Sequence, residues 1–266
     1  MEFFCNHQIV RAIYQPTVSP NNIAYRPWRG SINTTTIQYE EACCSLRQHK
    51  TMKTVAFVPI KLNSQRLPHK NILPIAGHPL CWHLCNALNH AKGIDEVYVY
   101  CSDESVKQYL PEKTIFKKRE KWLDGDMVKG FDIYRSFINE VDADIYILAH
   151  TTSPFIKVSS IENALGHILS GGYDSAFSAE RIQTFAWYQG RPINYSLNDV
   201  PRTQDIEPIW VETSAFFMFK KEVFTVHNRR IGFKPYIQEV SGIEAIDIDE
   251  KKDYDLACKL AEAEGI

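Results

Sequence analysis

The sequence predicts an α/β fold, with a mostly parallel sheet carrying helices on both faces. Three observations lead to this. Apolar runs such as "TVAFVPI" (54–60) and "DIYILAH" (144–150) are continuous rather than alternating, as in strands buried on both faces. Segments with helical spacing, such as "PLCWHLCNALNHAK" (79–92), fall between such runs. The alternation of strand and helix begins at Thr54 and builds parallel units. A chain of 266 residues with 44% hydrophobic content can bury one large domain of this kind.

Each element has its own signal. "TVAFVPI" is the first strand, and the helix after it has Pro79 in a position suited to a first turn. "DEVYVYCS" (95–102) is a strand, "DESVKQYL" (103–110) a short helix and "KTIFKK" (113–118) a third strand. "DMVKGFDIYRSFINEV" (126–141) has apolar residues at helical spacing, and Asp126 at its start is either a plain cap or a ligand. "DIYILAH" is the next strand, and "SSIENALGHILSG" (159–171) a helix capped by Ser159 or Ser160. "YDSAFSAE" (173–180) and "TFAWYQG" (184–190) read as strands linked by turns, and 191–208 has no clear period. "IWVETSAFFMFKKEVF" (209–224) is strand then short helix, and 242–266 closes the chain as strand, acidic turn and helix. Residues 1–51 are rich in Thr, Asn, Tyr and Arg without a sustained pattern. They read as a disordered leader or upstream extension, with a fresh start at Met52.

The net charge of -2 argues against a nucleic-acid polyanion as the main partner, so any cationic site is local. There is no apolar run of about 18 residues to span a membrane and no signal-peptide pattern. Seven cysteines, an odd number scattered over a large chain, fit reduced thiols in a cytoplasmic protein. His78, Cys81, His83, Cys85 and His90 are zinc-ligand types. However, Cys81 and Cys85 lie four apart on a helix and no second ligand pair follows, so core packing is the better account.

Candidate chemistry gathers just past the strands, where open α/β sheets hold ligands. After the first strand, "KLNSQRLPHKN" sets Lys61, Arg66 and Lys70 among Asn63, Ser64 and Asn71. Such a loop can neutralise a polyphosphate and donate hydrogen bonds to it, and it is not a P-loop. Asp247 and Asp249, two apart in a strand, face one side and can hold one Mg²⁺. "LAHTTSPF" sets His150, Thr151, Thr152 and Ser153 where hydroxyls meet a sugar or carboxylate. Arg119 follows the third strand, and Arg202, Gln204 and Asp205 lie in the irregular segment.

The order "PIKLNSQRLPHKNILPIAGHPL", "VYVYCSDE", "KKREKWLDGDM", "ILAHTTSPF", "PRTQDIEPIWVETSAFFMF", "IDIDEKKDYDLA" resembles the acylneuraminate cytidylyltransferase family from Met52 to the C-terminus. The resemblance implies a Rossmann-like nucleotidyltransferase domain over 52–266, with a small β-rich dimerisation arm at about 181–212. It also implies CTP as co-substrate, Mg²⁺ as cofactor, a sialic-acid-like 2-keto-3-deoxy sugar acid as acceptor, and a homodimer. By position, Lys61, Asn63, Ser64, Arg66, Lys70, Asn71, Arg119, Thr152 and Ser153 match nucleotide-binding positions. His150, Arg202, Gln204 and Asp205 match the sugar side, and Asp247 and Asp249 the metal carboxylates. Lys61, Arg66, Lys70 and Asp247 are then the residues of catalysis, although no base for the sugar hydroxyl stands out. Lys61 replaces an arginine, Leu62-Asn63 a pair of glycines, His150 a glutamine and Thr151 a proline. Lysine is a point charge rather than a fork, so the phosphate geometry differs there. The alternatives are a GT-A-like glycosyltransferase, whose D-x-D usually lies mid-chain, and a non-catalytic nucleotide- or sugar-binding relative.

Overall fold

A computed structural model describes residues 52–266, and the expectation for residues 1–51 lies outside them. Seven strands form one sheet: β1 (Thr54–Pro59), β2 (Glu96–Cys101), β3 (Ile115–Lys118), β4 (Ile145–Ala149), β5 (Ser175–Ile182), β6 (Ile209–Lys220) and β7 (Pro235–Glu239). Their order is β7-β5-β6-β4-β1-β2-β3. Only β6 runs against its neighbours. The sheet is therefore mostly parallel, as predicted, and the carboxyl ends of β1, β2, β3 and β4 share one edge.

The continuous apolar runs are explained by the two covered faces. Ala56 and Val58 of β1 pack towards α1 (Leu80–His90) and α3 (Val158–Leu169). Val55 and Phe57 point to the other face, into a cluster with α2 (Gly130–Glu140) and α4 (Lys221–Thr225). Phe57 stacks on Phe137 of α2 with ring centroids 4.5 Å apart. The last helix, α5 (Lys251–Glu264), closes a third cluster with Leu67, Leu80 and Ile248. Cys81 and Cys85 sit in the first cluster, fully buried. Burial pushes the Cys81 thiol up to about 12, so both pack as hydrophobes.

Several local expectations are corrected. Helix α2 starts at Gly130 rather than 126, because the Asp126 carboxylate is taken by Lys61 and Asp132 accepts the cap N–H of Lys129. Helix α3 starts at Val158 with Lys157 at its cap. Ser160 does not cap it, because its hydroxyl donates to Glu244 at 2.8 Å. Residues 104–109 form a 3-10 helix, capped where Asp103 accepts from the Ser105 amide at 2.9 Å. The segment holding Asp247 and Asp249 is not a strand. A 3-10 turn at Gly242–Ala245 leads into extended chain whose link to the sheet edge is Ile248 N–H donating to the Thr152 carbonyl at 2.8 Å. Strand β7 was missed because it opens on a proline, which marks an edge strand, and it is the edge.

Glu244 shows how such turns are held. It is 6% exposed and accepts from the Lys157 amide (2.9 Å) as well as from Ser160. Glu244→Ala strands the buried Ser160 hydroxyl and the half-buried Lys157 amide, and we expect a loss of about 1–3 kcal/mol. Thermal unfolding would read this as a lower Tm; an unchanged Tm would mean that water replaces the carboxylate.

Strands β5 and β6 run out into a largely exposed arm that includes residues 183–208. Their ladder runs from Ile209↔Ile182 to Glu212↔Ala179, breaks, and resumes at Phe217↔Phe177. The break is a bulge in β6 with Ser214 in the left-handed region, φ 61°. The Ser178 hydroxyl fills it, accepting from the Thr213 hydroxyl at 2.9 Å and the Phe216 amide at 3.3 Å. Within 184–190 only Trp187–Tyr188 is strand, paired with Arg191–Pro192. Trp187, Tyr188, Leu197, Val200, Trp210 and Val211 stand exposed on the arm.

Candidate active site

A cavity of about 560 Å³ opens at the carboxyl ends of β1, β3 and β4. Lys61, Asn63, Ser64, Arg66, Lys70, Arg119, Asp124, Asp126, Tyr134, His150 and Asp249 line it. Four segments far apart in sequence thus meet at one edge.

The loop after β1 supplies the cations. Its path is fixed by Asn71, which is 6% exposed and donates to the Lys61 carbonyl at 2.7 Å while accepting from the Thr151 hydroxyl. His69, at φ 57°, turns the chain so that Lys70 begins a short 3-10 helix. Lys61 Nζ lies 3.1 Å from Asp126 Oδ1. Arg66 Nη1 and Lys70 Nζ reach the two oxygens of Asp249 at 2.8 and 3.0 Å. Burial pushes the Asp249 carboxyl up, but the hydrogen bonds and charge of Lys70 and Arg66 outweigh it and hold the group ionised, below its usual value. Three loop cations therefore face two carboxylates, and a bound polyanion can take those carboxylates' place.

Arg119 is 3% exposed and works differently from the loop cations. Its guanidinium donates to the Tyr100 and Ile60 carbonyls at 3.3 and 3.1 Å and pairs with Asp124. It ties the end of β2 to the residue that follows β1 and presents only part of its surface to the cavity. Asn71 and Ser153 are likewise framework. Ser153 is fully buried and donates to the Thr213 carbonyl at 3.2 Å, holding the bulge, and Thr152 offers its carbonyl to Ile248.

His150 follows β4 and lines the cavity. Its Nδ1 is 2.7 Å from the Ser214 carbonyl oxygen. Burial lowers the ring's pKa, and Arg230 and Lys70 add to that. The Ser214 bond and Asp247 pull the other way without reversing it. Asp247 is exposed, one residue before the buried Ile248, while Asp249 faces the cavity. Arg202, Gln204 and Asp205 lie outside this chain's cavity. Arg202 and Asp205 form an exposed pair, 2.6 Å apart, on the arm.

Three contributors were not legible in the sequence. For Asp126 the sequence leaves cap and ligand roles open and does not point to its partner, Lys61. Tyr134, on the first turns of α2, forms one wall. Arg230 stacks on the Phe217 ring at 3.7 Å, pairs with Glu212 and lies beside the Tyr134 hydroxyl. Nothing in "VHNRRIG" points from sequence alone to such a neighbour.

Among the described residues, no helix is long and apolar enough to cross a membrane. Comparison with known proteins agrees with this architecture. The chain is 24% identical over 214 residues to an N-acylneuraminate cytidylyltransferase of Streptococcus agalactiae serotype III, covering 76% of this chain and 52% of that protein. It is 26% identical over 223 residues to N-acylneuraminate cytidylyltransferase A of Danio rerio, covering 80% and 52%. The chain thus spans about half the length of these relatives. A solved structure of a CMP:2-keto-3-deoxy-manno-octonic acid synthetase complexed with CTP shares the fold, with a TM-score of 0.59 and 19% identity over 80% of this chain and 99% of that one. The sequence pattern of the cytidylyltransferase family matches residues 55–265, so the chain belongs to that family.

Proposed function

We propose that this protein transfers the cytidylyl group of CTP to the anomeric hydroxyl of a 2-keto-3-deoxy sugar acid, giving a CMP-sugar and pyrophosphate. The observation that carries this reading is the cation loop itself. Lys61, Arg66 and Lys70 converge on one cavity and are held there by carboxylates that a triphosphate can replace. Nine-carbon and eight-carbon acids of this class are both candidates, since similar proteins carry names for each. In this reading the three cations bind the triphosphate and neutralise the charge that grows on the leaving pyrophosphate. Alignment and charge neutralisation supply most of the rate.

Among the described residues no three His, Cys, Asp or Glu side chains gather as a metal cage, so a Mg²⁺ here would rest on few protein ligands. Asp249 is an ionised carboxylate at the cavity wall, Asp247 lies two residues before it, and a hard cation completes its shell with phosphate oxygens and water. When bound, such an ion supplies Lewis-acid charge at phosphate oxygens. The exposed aromatic arm supports a homodimer in which Arg202, Gln204 and Asp205 reach the sugar side of a partner's site. Pyrophosphate release from CTP and Mg²⁺, measured across a panel of these sugar acids, tests the reading. Release with one acid fixes the acceptor; CTP binding with no release from any acid would overturn the transferase reading.

A further inference from the structure

We propose that His150 takes the proton of the attacking sugar hydroxyl, an inference that rests on the CTP-plus-sugar-acid reading above. The tautomer follows from one contact. Nδ1 of His150 lies 2.7 Å from the Ser214 carbonyl oxygen, and a carbonyl oxygen can only accept. Nδ1 therefore carries the hydrogen, and the neutral ring keeps its lone pair on Nε2, in a residue that lines the cavity.

The ring is held in place before any substrate arrives. The His150 backbone N–H donates to the Ala215 carbonyl at 3.2 Å, so both anchors belong to the β6 bulge. The bulge turns the Ser214 carbonyl through a left-handed backbone, φ 61°, that serine rarely adopts. Phe217 packs edge-on against the ring, with centroids 6.1 Å apart. Burial favours the uncharged ring, Arg230 and Lys70 act in the same direction, and the Ser214 bond and Asp247 oppose them.

Among the cavity-lining carboxylates, Asp124 stays tied to the buried Arg119, and Asp249 is the cation's ligand in this reading, which leaves Asp126, once a triphosphate draws off Lys61, as the competing acceptor.

In the step, the hydroxyl proton passes to Nε2 as the hydroxyl oxygen bonds to the α-phosphorus of CTP. The bond from α-phosphorus to the oxygen bridging to the β-phosphate breaks, and pyrophosphate leaves with that electron pair. The imidazolium then returns its proton to solvent.

His150→Gln tests the proposal, because its amide N–H can still serve the Ser214 carbonyl while no basic nitrogen remains. We expect kcat to fall about 10²-fold, with CTP affinity by calorimetry unchanged within about threefold. His150→Ala should lose as much, and added imidazole should restore part of its turnover. A His150→Gln variant that keeps its kcat would overturn the proposal. So would a roughly tenfold loss of CTP affinity, which would make His150 a nucleotide contact, or a His150→Ala variant that imidazole does not lift. Absence of turnover in the unaltered protein with every sugar acid would remove the transferase reading and the base with it. Turnover in the unaltered protein, undiminished in His150→Gln, would remove the base alone.

Discussion

Replacing Asp247 and Asp249 together by asparagine is expected to lower turnover by roughly 10³-fold. Asparagine keeps the shape and one oxygen but removes the charge that a hard cation needs. Asp249 should account for most of the loss, because it faces the cavity while Asp247 is exposed beside it. The expected effect on CTP is different. Lys70 and Arg66 hold Asp249 at 3.0 and 2.8 Å, and the substitution releases them. CTP affinity without metal should therefore persist, and the gain from adding Mg²⁺ should disappear. Pyrophosphate release, together with CTP calorimetry with and without Mg²⁺, measures both. Full turnover in the double variant would mean that the carboxylates have no part in the reaction. Loss of metal-free CTP binding would mean that they organise the loop instead.

Gly232→Val should cost about 3 kcal/mol, a fall of roughly 6–12 °C in Tm. A Cβ at position 232 would overlap the Asp174 carboxylate. That carboxylate accepts from the Phe233 and Lys234 amides at 2.7 and 3.1 Å and from the Ser175 hydroxyl at 2.8 Å, and the same hydroxyl accepts from the Gly232 amide at 2.8 Å. These four bonds tie the start of β5 to the entry of β7. Burial raises the Asp174 pKa, but the Ser175 hydroxyl and the two amides pull harder and leave it below its ordinary 3.8. Its contribution is therefore complete above that value and is lost as pH falls through the lower folded-state value. Acid should shift the melting of the unaltered protein more than that of Gly232→Val, in which the staple is already broken. Equal acid shifts in the two would show that Asp174 contributes nothing to the edge.

The sheet was legible because burial on both faces forces unbroken apolar runs, and "TVAFVPI" and "DIYILAH" are such runs. The cation loop was legible too, because parallel strands bring the loops at their carboxyl ends together. What failed was whatever depends on a distant partner. Asp126 reads as cap or ligand alike until Lys61, sixty-five residues earlier, claims it. Ser160 reads as a cap until Glu244 accepts its hydroxyl. The framework contacts of Arg119 and Ser153 with backbone carbonyls likewise have no signal in the sequence. The bulge in β6 has no local signature at all, because Ser214 is an unusual residue for a left-handed backbone.

That bulge also gives β6 two tenants. One end of the strand carries Trp210 and Val211 on the exposed arm, and the other is wired into the central sheet at Phe217. Between them, the Ser214 and Ala215 carbonyls grip His150. A load on the arm reaches the cavity wall through only a few peptide units, so the strand works as a lever with its fulcrum at the bulge. If the arm is where two copies meet, crowding and dilution become control inputs, and turnover per molecule should fall as the copies are drawn apart.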